Sequence, residues 1–297
     1  MTSNRPQLSS CASWNPNAAT FINASTNSLS PGAVFIDPNN TVYYTSSNIS
    51  QAQFGTVSSD LSHRVVYSGP NQQQNLAIAS NSNVHVRNST TYYVIAWPSW
   101  IGTVGTFTAN INDSCFSLFV DQNSTVYCSM SLRHTVFTRS FLGNSNAAKI
   151  VAGNLSVGSG PLTLNTPRGI FLTASTDLYV ADCGNNRVQL FPSGQLTGTT
   201  VAGNGVSGTI TLSCPMSVVL DGNGYLFIAD QNNHRIVGAG PTGFRCIVGC
   251  SSQNGSTSFQ LKVPSSLAFD TTGNLYVMDS GNGRMQVFSL GSNTCGR

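Results

Sequence analysis

The side chains able to do chemistry in this sequence are few, and their spacing is regular. Asp182, Asp230 and Asp279 are each followed five residues later by an arginine, Arg187, Arg235 and Arg284. That distance suits a tight connection, so each pair can close as an ion pair, or the carboxylate can bond to loop amides. A pair that recurs at a fixed place is more often a structural pin than a catalyst. Four histidines are present, His63, His85, His134 and His234; His134 and His234 share one register, just before an apolar run. A metal site needs three or four converging ligands. No such set is legible, so no metal and no cofactor are expected. The sequence has no Gly-x-Ser-x-Gly elbow and no glycine loop that opens a helix to cradle phosphate. Only ten carboxylates exist, and at least three belong to the repeated pairs. Two-carboxylate catalysis therefore has few candidates, and no catalytic residue is assigned.

The elements that must position these residues repeat along the chain. Pro167–Phe191, Pro215–Gly240 and Pro264–Ser289 align without gaps, their prolines 48 and 49 residues apart. In each, an alternating apolar run follows the proline and ends at a turn rich in Asp, Gly, Asn, Ser and Thr. A second apolar run ends in the Asp, and a polar loop leads to the Arg and a third run. Alternation with β-branched and aromatic residues between turn signals is the strand pattern. Asn223-Gly224 and Gly273-Asn274 supply hairpin chemistry. Weaker copies occupy Pro31–Thr45, Leu76–Asn88 and Cys115–Ser129. The turn positions are then Asp37, Ala79, Asp121, Thr173, Asp221 and Asp270, spaced 42, 42, 52, 48 and 49 residues apart, which gives six units. Thr45–Ser62 departs from the repeat, and its strands stay open.

A fourth strand is visible at Lys149–Gly153, Thr200–Gly203 and Cys246–Gly249. The last unit lacks its own copy, but Ala18–Ser25 near the N-terminus resembles Ala147–Asn154. The N-terminal strand is therefore expected to complete the last unit, removing two sheet edges that would invite aggregation.

The pattern Pro-x-x-apolar-x-apolar-Asp, then Leu-Tyr-Val-Ala-Asp-x-x-Asn-x-Arg-Val, resembles the NHL repeat, most clearly over 167–290 and more weakly over 31–137. The resemblance implies an all-β chain: a six-bladed β-propeller forming one domain over 1–297, closed by the N-terminal strand pairing into the last blade. Residues 1–10 are expected to be disordered. Loops after the second strands would gather on one face, which makes Arg133, His134, Asn186, Arg187, His234 and Arg235 the candidate binding surface. Some propeller lyases of this class hold zinc through histidines, and this sequence offers no matching set.

Charged residues are 8% of the chain, against roughly 25% in typical soluble proteins. The net charge of +3 is spread thinly, so nucleic acid is not an expected partner. The longest apolar runs are strand-length, far below the ~18–20 residues of a membrane helix. Eight cysteines in a chain with little charge suggest disulfides and an oxidising compartment. Eight cysteines allow 105 pairings. The propeller ranks Cys11–Cys295, Cys183–Cys214 and Cys246–Cys250 first, and Cys115–Cys128 follows by elimination. Asn-x-Ser/Thr sequons start at Asn23, Asn39, Asn48, Asn88, Asn112, Asn123, Asn154 and Asn254. They mark possible glycan acceptors, at a count that chance also gives in so Asn-, Ser- and Thr-rich a chain. Residues 1–10 lack the apolar stretch of a signal peptide, which fits a secreted chain whose signal is absent here, or a fragment. The reading is a non-enzymatic extracellular binding module for a protein or glycan, a monomer or part of a larger chain. Its rival is a propeller lyase or hydrolase with a metal-assisted site over the central channel.

Overall fold

The computed structural model describes residues 4–23, 30–47, 52–57, 63–69, 76–78, 84–87, 93–97, 106–110, 115–140, 148–240, 243–251 and 253–295. Six four-stranded antiparallel sheets follow one another along the chain. Blade one comprises Ser30–Ile36, Val42–Ser47, Ala52–Val57 and His63–Gly69. The stretch left open in the sequence thus supplies an ordinary third strand, and His63 opens the fourth. Blade two comprises Leu76–Ile78, Val84–Arg87, Tyr93–Trp97 and Thr106–Asn110. Its turn position, Ala79, and the sequons at Asn48, Asn88 and Asn112 lie outside the described residues.

Blade three is Ser117–Val120, Thr125–Met130, Thr135–Ser140 and Lys149–Gly153; blade four is Pro167–Leu172, Leu178–Asp182, Arg187–Phe191 and Thr199–Gly203. Blade five is Pro215–Leu220, Leu226–Asp230, Arg235–Gly240 and Gly243–Val248. Blade six takes Pro264–Phe269, Leu275–Asp279 and Arg284–Phe288 from the C-terminal end, and its outer strand, Ala19–Asn23, from the N-terminal end. That strand pairs Ala19 with Val287 and Ile22 with Met285. The only helical segments among the described residues are four three-residue 3-10 turns.

The first strand of each blade abuts the first strands of both neighbours, and Pro264–Phe269 abuts Ser30–Ile36, so the six innermost strands close a ring. Their exposed edges are partly satisfied across blades. Ile170 N donates to Ser117 Oγ at 3.3 Å, and Val34 N to Ser266 Oγ at 3.2 Å. The core lies between blades rather than inside them. Val136, Ala152 and Leu164 pack on Ile170, Leu172, Val180 and Phe191. Ile22, Met278 and Met285 pack on Val34, Ile36 and Tyr44, the slab that joins blade six to blade one. Burying each such side chain contributes about 1.5–3 kcal/mol, so neighbouring sheets hold one another in place.

Four disulfides are formed: Cys11–Cys295, Cys115–Cys128, Cys183–Cys214 and Cys246–Cys250. Cys115 stands where blades one, four, five and six carry the proline, and Cys128 pairs with Leu118 across the hairpin. The bridge therefore runs diagonally. Close to Cys11–Cys295, Ser13–Trp14 and Leu290–Ser292 form a short extra ladder.

Residues 4–10, expected to be disordered, are packed against the ring instead. Asn4 is 8% exposed and Leu8 1%. Leu8 enters the slab between blades five and six, beside Trp14, Phe227 and Phe269. The segment is tied down by long-range hydrogen bonds, which leave no periodic signal in a sequence.

Candidate functional site

In blades one, three, five and six an aspartate at the end of the first strand pins the hairpin that follows. Asp37, Asp121, Asp221 and Asp270 each accept, through Oδ1, the amides two and four residues ahead; for Asp221 these are Asn223 N at 3.0 Å and Tyr225 N at 2.7 Å. Such Asx turns fix the hairpins with local bonds. These hairpins define one end of the ring.

The N-terminal segment crosses that end. Asn4 Nδ2 donates to Asp37 O of blade one at 2.6 Å. Arg5 donates to Asp221 O of blade five at 2.8 and 3.0 Å, and its guanidinium lies 5.8 Å from the Phe171 ring of blade four. Gly222 N donates to Pro6 O at 2.8 Å, and Leu8 N to Asp221 Oδ2 at 3.2 Å. Blade one stands opposite blade four in a six-membered ring, so residues 4–8 form a strap over this mouth. Burial raises the Asp221 carboxyl above the usual carboxylate range, against the amides of Tyr225, Leu8 and Asn223, which favour its charge.

At the other end, the second strands run into the 3-10 turns Ser131–Arg133, Cys183–Asn185, Gln231–Asn233 and Ser280–Asn282. Here the Asp–Arg pairs close as ion pairs: Arg187–Asp182 at 2.7 Å, Arg235–Asp230 at 2.9 Å and Arg284–Asp279 at 2.7 Å. The second carboxylate oxygen accepts an amide from the link that enters the blade, Asn165, Ser213 or Lys262. The guanidinium reaches back to the carbonyls of the same link; Arg187 bonds to Ser159, Gly160 and Thr163. Each pair thus fastens the loop that joins two blades.

The residue after each turn is left-handed: His134 (φ 55°), Asn186 (φ 53°), His234 (φ 54°) and Gly283 (φ 62°). The first three do one job. His134 Nδ1 accepts Thr166 N at 3.1 Å, Asn186 Oδ1 accepts Cys214 N at 2.8 Å, and His234 Nδ1 accepts Val263 N at 3.2 Å. Each donor directly precedes the proline of the next blade and is itself left-handed, at φ 47°, 48° and 53°. The carbonyls of His134, Asn186 and His234 press on Gly153, Gly203 and Gly249, where any side chain would overlap them. This explains the glycine that ends each of these fourth strands.

Of the residues expected on the binding surface, Arg187 is buried, while His134, Asn186, His234 and Arg235 are half-buried, with the bonds above already made. Arg133 is exposed at its turn. No three His, Cys, Asp or Glu side chains gather to hold a metal among the described residues.

The sequence reading missed two features of this open end. The first is apolar exposure on turns and links: Leu132 is 80% exposed, Val157 61% and Phe259 48%, with Leu155, Leu162 and Val206 also exposed. The second is the mouth itself. The residue after each proline position is Gly32, Phe116, Arg168, Met216 and Ser265 in blades one, three, four, five and six. The Arg168 guanidinium lies 4.3 Å from the Phe116 ring centroid, and its Nε is buried without a partner. Burial lowers its pKa from the ordinary arginine value, yet an arginine remains charged in a protein. The signal was a position of unlike residues inside an otherwise regular repeat.

Six four-stranded sheets in a ring, inter-blade fasteners and a strand borrowed from the N-terminus together define a six-bladed β-propeller. Within it, residues 261–288 match the NHL repeat family, so the chain carries an NHL repeat in such a propeller. No curated protein matches the sequence. Among solved structures, a Bacteroides thetaiotaomicron protein of unknown function is similar with a TM-score of 0.71 at 12% identity, over 97% of this chain and 75% of that one. An auxiliary nutrient binding protein from the same organism gives 0.67 at 13% identity, over 98% and 76%. A streptogramin B lyase gives 0.63 at 11% identity, over 92% and 97%. At these identities the likeness is one of fold, and fold does not imply function.

Proposed function

We propose that this chain is a non-enzymatic extracellular binding module that docks a protein partner on the face of the 3-10 turns. The supporting observation is the asymmetry of the ring. One mouth is strapped by residues 4–8, whereas the opposite face exposes Leu132, Leu155, Val157, Leu162, Val206 and Phe259. Apolar side chains grouped on one face of a soluble protein mark interaction surfaces. The four disulfides fit an oxidising compartment. Sequon residues Asn39, Asn123, Asn154 and Asn254 are exposed, as glycan acceptors must be.

The test is a triple variant, Leu132→Ser, Val157→Ser and Phe259→Ser, compared with wild type in affinity capture from extracellular fluid, then in titration of the purified captured protein. Exposed substitutions change stability by only about 0.5 kcal/mol each, so folding is kept. At least a tenfold loss of affinity is expected. A partner that binds both proteins equally well overturns the reading.

A further inference from the structure

The geometry points to a carboxylate-binding subsite at the end of the ring away from the strap, built from Arg168 and Phe116, that takes a ligand whose carboxylate adjoins an apolar group. This deepens the binding-module reading and rests on it only for the larger partner.

The innermost strand of each blade places one residue after the proline position, at the end of the ring away from the strap. Its described members are Gly32, Phe116, Arg168, Met216 and Ser265. Only Arg168 carries a charge. The three ion pairs among the described residues all belong to the Asp–Arg fasteners, so no described carboxylate answers Arg168. Its Nε is buried with no acceptor, while its backbone carbonyl is held by Ser129 Oγ at 2.6 Å. The neighbouring carbonyl of Pro167 is held by Ser131 Oγ at 2.5 Å. The backbone beneath the guanidinium is thus fixed from blade three.

Arg168 is half-buried, and burying its Nε without a partner among the described residues is costly; the fold does not require an arginine here, since other blades manage with Gly, Phe, Met or Ser. Stacking on Phe116 offsets part of that cost and fixes the plane of the group. It covers one flat face only. The N–H donors point outward along the rim of the plane, the geometry that matches a carboxylate through two parallel bonds. The Phe116 ring makes one side of the guanidinium's surroundings apolar. An anion that brings its own apolar group fits both features; a hydrated mineral ion satisfies only the charge.

The experiment follows the Nε–Hε resonance of Arg168 in arginine-labelled protein, assigned by its loss in Arg168→Lys. The probes are benzoate and a blocked tetrapeptide with a free C-terminal carboxylate, each against its amide, with sodium chloride as the ionic-strength control. A saturable shift is expected with the acids and none with the amides or chloride. The tighter of the two acids identifies the source, small acid or polypeptide terminus. Calorimetry on Arg168→Gln should show at least a tenfold weaker affinity, with a melting temperature equal to or above wild type. Equal shifts from acid and amide, or undiminished binding by Arg168→Gln, overturn the subsite. Carboxylate binding at Arg168, with partner affinity unmoved by the Leu132, Val157 and Phe259 substitutions, keeps the subsite and discards the docking face. The reverse result keeps the face and discards the subsite.

Discussion

His134 and His234 are read here as hydrogen-bond acceptors that join blades, a role Asn186 fills at the equivalent place. The acceptor atoms, Nδ1 of histidine and Oδ1 of asparagine, stand equally many bonds from Cα. They meet amides at 3.1, 3.2 and 2.8 Å. His134→Asn should therefore be close to neutral, all the more because asparagine tolerates the left-handed backbone better than most residues. His134→Ala keeps the backbone strain and leaves the half-buried Thr166 amide without its acceptor, at a cost of about 1–3 kcal/mol. At roughly 2–4 °C per kcal/mol, the melting temperature falls by about 2–12 °C. Thermal unfolding of the oxidised protein, followed by circular dichroism, measures both variants against wild type. If His134→Asn falls as far as His134→Ala, the imidazole does something other than accept, and the structural reading of both histidines fails. If His134→Ala melts with wild type, the bond contributes nothing.

Replacing Cys11 and Cys295 by serine opens a loop of 284 residues in sequence, for which chain entropy gives an upper limit of about 5–6 kcal/mol. Urea unfolding should show a loss of several kcal/mol; less than about 1 kcal/mol would mean that the Ala19–Asn23 pairing alone closes the ring. Asp221→Asn removes one acceptor oxygen from Leu8 N and should unfasten the strap, seen as faster hydrogen exchange at Leu8, while blades four to six keep their protection. Because burial raises the Asp221 carboxyl in the folded state, its contribution to stability is present below the ordinary carboxylate pKa and is lost as pH rises through the raised value. The stability gap between wild type and the variant should therefore move in the variant's favour between pH 4 and pH 7. A gap that widens against the variant over that interval would refute the assignment.

Much of the propeller was legible because its units obey local rules. Asp37, Asp121, Asp221 and Asp270 sit where a hairpin needs an Asx acceptor. The borrowed strand at Ala19–Asn23 was found because Lys149–Gly153 shows what a fourth strand looks like. The strap escaped notice because Asn4–Ser10 holds one large apolar core side chain, Leu8, and otherwise bonds to backbone and side-chain atoms far along the chain. The mouth escaped for a different reason. Gly32, Phe116, Arg168, Met216 and Ser265 occupy one register of the repeat but share no property for a pattern search to detect. His134 and Asn186 look unrelated as letters, because the fold selects an acceptor at one distance from the backbone rather than a residue type.

The Cys11–Cys295 bridge has a topological result. It makes the backbone between those residues a covalent circle, so a protease that cuts once anywhere between them releases no fragment. A nicked molecule would migrate as an intact chain until a reductant is added, and a blade could leave only after a second cut. The link 154–164 and the other exposed connections between blades can therefore be cleaved once without loss of any blade from the ring, and new chain ends could be engineered there with the original pair joined.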